Sequence, residues 1–150
     1  MFRPLFLLAF WLVGSAALAA DGKIFKVLPH LLDQQGRHSL SPSLFERDAY
    51  QAQLRKHPDQ ISGLRYDIQW KAHAGDTSHL KLRIQLRTAN RPLTQPIVVE
   101  APVKVGLFHG GWTGLTLDGK SYKEAGEVQA WRVTLLDGDT ELAETKSFLW

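Results

Sequence analysis

Leu64-Arg65-Tyr66-Asp67-Ile68-Gln69-Trp70-Lys71-Ala72-His73, and a few residues later Leu80-Lys81-Leu82-Arg83-Ile84-Gln85-Leu86-Arg87, alternate apolar and polar side chains without interruption. A period of two places one set on each face of an extended chain, so each stretch predicts a half-buried strand. Ala74 to Ser78 lies between them and contains Gly75 and Asp76, a turn signal that pairs the two as a hairpin.

Outward from this centre the pattern continues. Further strands are expected at Ile97 to Ala101, Val103 to Phe108 and Trp112 to Leu117, and a last hairpin joins Val128 to Leu136 with Glu141 to Trp150 around Asp137-Gly138-Asp139. Roughly seven short strands separated by turn signals argue for a mainly all-β chain, an antiparallel β-sandwich of immunoglobulin or fibronectin III type. Cysteine is absent, so no inter-sheet disulfide exists and the indole of Trp70 or Trp131 is expected to occupy that space.

Residues 20 to 63 read differently. Gly22, Pro29, Gly36 and Pro42 punctuate an irregular lead-in, after which Ser41 can cap a helix whose first position is Pro42. Ser43 and Glu46 have capping-box spacing, and Pro58 ends the helix near His57. Leu44, Phe45, Ala49 and Ala52 share a face expected to pack on the sheet, while Tyr50 and Leu54 form a second ridge that offers a partner surface.

The chain begins with Arg3, an apolar run from Leu5 to Val13 and small residues from Gly14 to Ala20, the three-part plan of a secretory signal. Ala17 and Ala19 place the cut before Ala20, with a cut after Ala20 as the alternative. The run is shorter than the roughly 20 residues that span a bilayer, so residues 1–19 read as a cleaved signal with no transmembrane span after it. About 131 residues remain, enough for one core of ordinary size. An exported chain works in the periplasm or outside the cell.

The formal charge of +3 is too small to argue for nucleic acid. Its distribution says more: residues 21–91 carry twelve Lys or Arg against seven Asp or Glu, and residues 92–150 carry five against eight. The hairpin register would set Lys71 opposite Lys81 and Arg65 opposite Arg87, and with Arg83 these make a basic face. Like charges directly opposite are unfavourable. Either the register differs, or the strands belong to separate sheets, or an acidic surface neutralises the patch.

Three motifs resemble chemistry. Gly114, Gly119, Lys120 and Ser121 spell G-x-x-x-x-G-K-S, but Leu115 and Leu117 alternate like a strand and Gly126 interrupts the segment after Ser121, so no helix is expected to face a phosphate. His109-Gly110-Gly111 looks like the oxyanion loop of lipases, yet the nucleophile elbow G-x-S-x-G is missing. His73 and His79, with Asp76 between them, are the best of six histidines for a metal, and solvated loop histidines are the commoner outcome. No cofactor is implied.

Aromatic side chains remain. Trp70 alternates with apolar neighbours and reads as core, whereas Trp112, beside two glycines and near Tyr122, is expected at a rim where sugars stack. Phe148 and Trp150 suit the last strand of an outer-membrane barrel, but eight strands of about 9–11 residues barely fit between Leu64 and Trp150, and Pro92, Pro96 and Pro102 cut the stretch.

Leu31-Leu32-Asp33, Gly36-Arg37-His38, Pro42-Ser43-Leu44 and Arg47-Asp48-Ala49-Tyr50-Gln51, with Trp131-Arg132-Val133 and Ser147-Phe148-Leu149-Trp150, resemble small exported bacterial proteins of no assigned function. That resemblance implies no activity and no catalytic residue. The sequence therefore points to a non-enzymatic envelope domain that binds another envelope or secreted protein, or itself. A carbohydrate- or other ligand-binding module is the alternative, and a small hydrolase using His109 comes third.

Overall fold

The computed structural model describes residues 20–106 and 109–150; the signal expected at residues 1–19 lies outside them. The strands are β1 (Asp21–Leu32), β2 (Gly63–His73), β3 (Leu80–Thr88), β4 (Ile97–Pro102), β5 (Gly110–Asp118), β6 (Val128–Asp137) and β7 (Thr140–Lys146), and the helices are α1 (Leu44–Lys56) and α2 (Gly119–Ala125). They form two antiparallel sheets, β1-β2-β5 and β4-β3-β6-β7, packed as a sandwich.

Alternation in β2 and β3 translates directly into burial. Tyr66, Ile68, Trp70 and Ala72 of β2 face Leu80, Leu82, Ile84 and Leu86 of β3, with Leu115, Leu117, Val133 and Leu135 completing the core. Trp70 is buried, and its Nε1 donates to Thr113 Oγ1 at 2.9 Å, so the indole enters the core without an unpaired donor.

β2 and β3 are not a hairpin. The chain crosses from one sheet to the other between them, β2 pairing with β1 and β5, and β3 with β4 and β6. Each apolar row then buries against the other across the sandwich, and the polar rows point to opposite outer faces. Lys71 and Lys81, like Arg65 and Arg87, never meet. Separate sheets remove that repulsion, and the final β6–β7 hairpin forms around Gly138.

The lead-in is not irregular either. β1 pairs along the whole length of β2, from Asp21 opposite His73 to Leu32 opposite Gly63. A bulge between Ile24 and Lys26 shifts the register; inward positions therefore run Gly22, Ile24, Val27, Pro29, Leu31, and the alternation is hidden by one extra residue. Val103 to Gly106 forms no strand, although Val103 is buried and its N–H donates to Leu80 O at 3.1 Å. Leu107 and Phe108 lie outside the described residues.

α1 begins at Leu44 rather than Pro42, with Ser43 at the cap position and no side-chain capping bond. Its orientation is the reverse of the expectation. Leu54 is fully buried, Gln51 is buried and Tyr50 packs on the core, whereas Leu44 and Phe45 are 66% and 82% exposed and Ala49 and Ala52 face solvent. Polar anchoring decides this: Gln51 accepts from Leu31 N at 2.8 Å and donates to Leu31 O at 2.9 Å and His38 O at 2.8 Å. β7 stops at Lys146, and Trp150 lies under Arg87, whose guanidinium carbon is 4.1 Å from the ring centroid.

Candidate functional site

The outer face of the β1-β2-β5 sheet is built in rows by its register. Lys23, Lys71 and Gly110 form one row; Lys26, Gln69 and Trp112 the next; Leu28, Asp67 and Gly114 the third; His30, Arg65 and Thr116 the fourth. Phe25, the residue displaced by the bulge, joins this face and is 50% exposed, with Lys23 Nζ 5.3 Å from its ring centroid.

Trp112 is 52% exposed although it lies within a regular strand. Its neighbours on the same face of β5, two residues away on either side, are Gly110 and Gly114. Neither carries a side chain to shield the indole. Gly114 also makes room for Arg65, whose Nε would lie 2.7 Å from a β-carbon placed there. A shallow cavity of about 190 Å³ lies between Phe25, Gln69, Lys71 and Trp112. An aromatic plane, an amide and ammonium groups are thus brought together.

The basic residues singled out in the sequence are divided between the two outer faces and are differently occupied. On the second sheet Arg83 pairs with Glu100, Lys81 Nζ is 3.4 Å from Glu100, and Arg87 covers Trp150. On the first sheet Arg65 holds Asp67 at 2.7 Å, and His30 Nε2 approaches the other oxygen of Asp67 at 3.5 Å. Lys23, Lys26 and Lys71 are exposed and enter none of the ion pairs among the described residues.

A larger cleft of about 520 Å³ opens where α1 and α2 meet the start of β6; it is lined by Tyr66, Tyr122 and Trp131, with Arg55 and Glu127 also on its wall. Burial pushes the Tyr66 phenol up, as it does that of Tyr122, so both remain neutral hydrogen-bonding groups. Tyr122 therefore sits in this cleft, apart from the face that carries Trp112. Leu54, expected with Tyr50 to form a partner surface, presents no exposed surface at all.

The G-x-x-x-x-G-K-S match does lead into a helix, contrary to expectation, because α2 begins at Gly119. The helix start is nevertheless occupied by the chain itself: Asp118 accepts from Ser121 N at 2.9 Å and from Ser121 Oγ at 2.7 Å. Leu115 and Leu117 are buried strand residues, so no loop curls round an anion. His79 Nε2 lies 3.7 Å from Asp76, while the His73 ring is tilted against His109 at 5.5 Å. The three residues that were the best metal candidate, His73, Asp76 and His79, are therefore split. Among the described residues no three His, Cys, Asp or Glu side chains group as metal ligands, and no serine hydrogen-bonds His109.

No protein-family model, no curated protein and no solved structure matches the chain. Of this face, Trp112, Arg65 and Lys71 are legible in the sequence, whereas Phe25, Lys23 and Lys26 join it only through β1. The signal was present in Ile24 followed by Val27, Pro29 and Leu31, an alternation broken once.

Proposed function

We propose that the chain is an exported, non-enzymatic binding domain of the immunoglobulin-like, fibronectin III type that acts through the outer face of its β1-β2-β5 sheet. The strand order supports the fold assignment. An immunoglobulin constant domain groups its first, second, fifth and fourth strands against its third, sixth and seventh; transferring the fourth strand to the edge of the opposite sheet produces the order here. The charged, apolar and small-residue segments of residues 1–20 support export.

One observation carries the functional reading: a half-exposed indole held in a regular strand between two glycines, with Phe25 on the same face. An exposed aromatic whose backbone is already fixed in a strand loses no backbone freedom on binding. This favours a ligand- or glycan-binding module over an adaptor working through α1, because Tyr50 and Leu54 are committed inward.

Acrylamide quenching of the intrinsic fluorescence tests the reading. Trp112→Phe is expected to remove most of the readily quenched emission, and a bound ligand to protect what the wild type shows. Equal quenching of the wild type and Trp112→Phe would remove the basis for this face.

A further inference from the structure

We propose that the ligand of this face is an acidic polysaccharide, whose rings stack on Trp112 while its carboxylate or sulfate groups are met by Lys71, Lys23 and Lys26. The proposal rests on the binding-domain reading above and names the chemistry of its ligand.

Charge points to the ligand. Lys23 and Lys71 are directly opposite one another across the β1–β2 ladder, an arrangement that is destabilising in a sheet. Arg65, on the same face, has Asp67 as its counter-ion; the Lys23–Lys71 pair has none among the described residues. Edge protection explains only part of this. β1 is an edge strand, and lysines, a bulge and Pro29 are the usual means of preventing edge-to-edge pairing. β2, however, is the central strand of its sheet, so Lys71 guards no edge.

The surroundings of the lysines select the anion. Lys26, Gln69 and Trp112 share one row, and Lys23, Lys71 and Gly110 share the next. The patch extends about 10 Å across the strands and about 7 Å along them, and the shallow cavity lies within it. Gln69 supplies an amide donor and acceptor between the aromatic and charged groups, suited to hydroxyls. The aromatics lie on strands of the sheet rather than at a protruding loop tip, so a polymer laid across the sheet fits better than a bilayer that must be penetrated.

Titration of the full mature chain with dextran sulfate, polygalacturonate, neutral dextran and phosphatidylglycerol vesicles, followed by intrinsic tryptophan fluorescence, tests this. Dextran sulfate or polygalacturonate is expected to bind with an affinity that falls with salt, and neutral dextran about tenfold more weakly or worse. Trp112→Ala, with binding read by calorimetry, and Lys71→Glu are each expected to weaken binding by about tenfold. Lys71→Glu separates function from structure, because replacing one of two facing lysines by a carboxylate should raise the melting temperature of the free protein while impairing binding.

Neutral dextran binding as tightly as its sulfated form, or Lys71→Glu binding normally, overturns the acidic ligand and leaves the aromatic face standing. Vesicles bound in preference to both acidic polymers, or no response to either polymer at low salt, also overturn it. Acidic polymers bound equally by wild type and Trp112→Ala sink both this inference and the reading on which it rests.

Discussion

Tyr50 donates its hydroxyl to Asp33 at 2.6 Å, and that bond joins the middle of α1 to the end of β1. Asp33 is buried and accepts from four donors in all: Tyr50 Oη, Gln35 N, Arg37 N and Arg37 Nε. Its backbone oxygen also receives Ser62 Oγ, just before β2. One carboxylate thus organises the turn after β1, the docking of α1 and the entry to the central strand.

Removing the hydroxyl alone with Tyr50→Phe is expected to cost about 1 kcal/mol, because Asp33 keeps three other donors. Asp33→Ala, which strands those donors, is expected to cost about 3 kcal/mol or more. Urea unfolding of the two variants checks the order; equal losses would show that the shared bond is the whole of the effect.

Acid stability depends on the same residue. Burial pushes the Asp33 carboxyl up, but the bonds from Tyr50, Arg37 and Gln35 outweigh it and hold the group at about 2, against an ordinary 3.8. A depressed carboxyl contributes stability that is full above 3.8 and is lost as pH falls through 2. Asp33→Asn is expected to flatten the unfolding free energy over that window, measured by urea unfolding at a series of pH values.

His30 acts in a higher window. Burial lowers it from 6.5, and its stacked neighbour His38, 4.7 Å away, together with Arg47 and Arg65 reinforces this against the opposing pull of Asp67. A histidine kept neutral by folding leaves stability intact above 6.5, and stability declines as pH drops below that value. His30→Gln is expected to abolish this decline, measured as the melting temperature between pH 7 and pH 5.

The orientation of α1 makes a sharp contrast between its apolar residues. Leu54→Ala should cost about 2–5 kcal/mol, as for other buried leucines, while Leu44→Ala and Phe45→Ala should change stability by no more than about 0.5 kcal/mol. Comparable losses at Leu44 and Leu54 in urea unfolding would reverse the helix.

Gly126 ends α2 with φ +76°, and a β-carbon there would approach Asn90 Nδ2 at 2.9 Å. Asn90 anchors its own loop to α2, its N–H donating to Ala125 O at 2.9 Å. Gly126→Ala is therefore expected to destabilise by about 1–3 kcal/mol, whereas Gly75→Ala, in open space, should be close to neutral by thermal melting.

Local pattern alone was sufficient for β2, β3 and the β6–β7 hairpin, because a period of two is written in consecutive side chains and half-burial preserves it. It also placed Trp70 inside and Trp112 outside. Pattern could not say which strands are neighbours: β2 and β3 read as a hairpin, and the decision between pairing and crossing over belongs to the burial of two apolar rows against one another. β1 escaped notice because one bulged residue breaks the period. α2 escaped because seven residues beginning at one glycine and ending before another carry little signal, and α1 was turned about by hydrogen bonds from Tyr50 and Gln51 to a segment 17 to 20 residues away. The site shares this division. Trp112 is legible in its own strand, but its company of Phe25, Lys23, Lys26 and Lys71 exists only because β1, β2 and β5 lie side by side, a long-range pairing that no local pattern encodes.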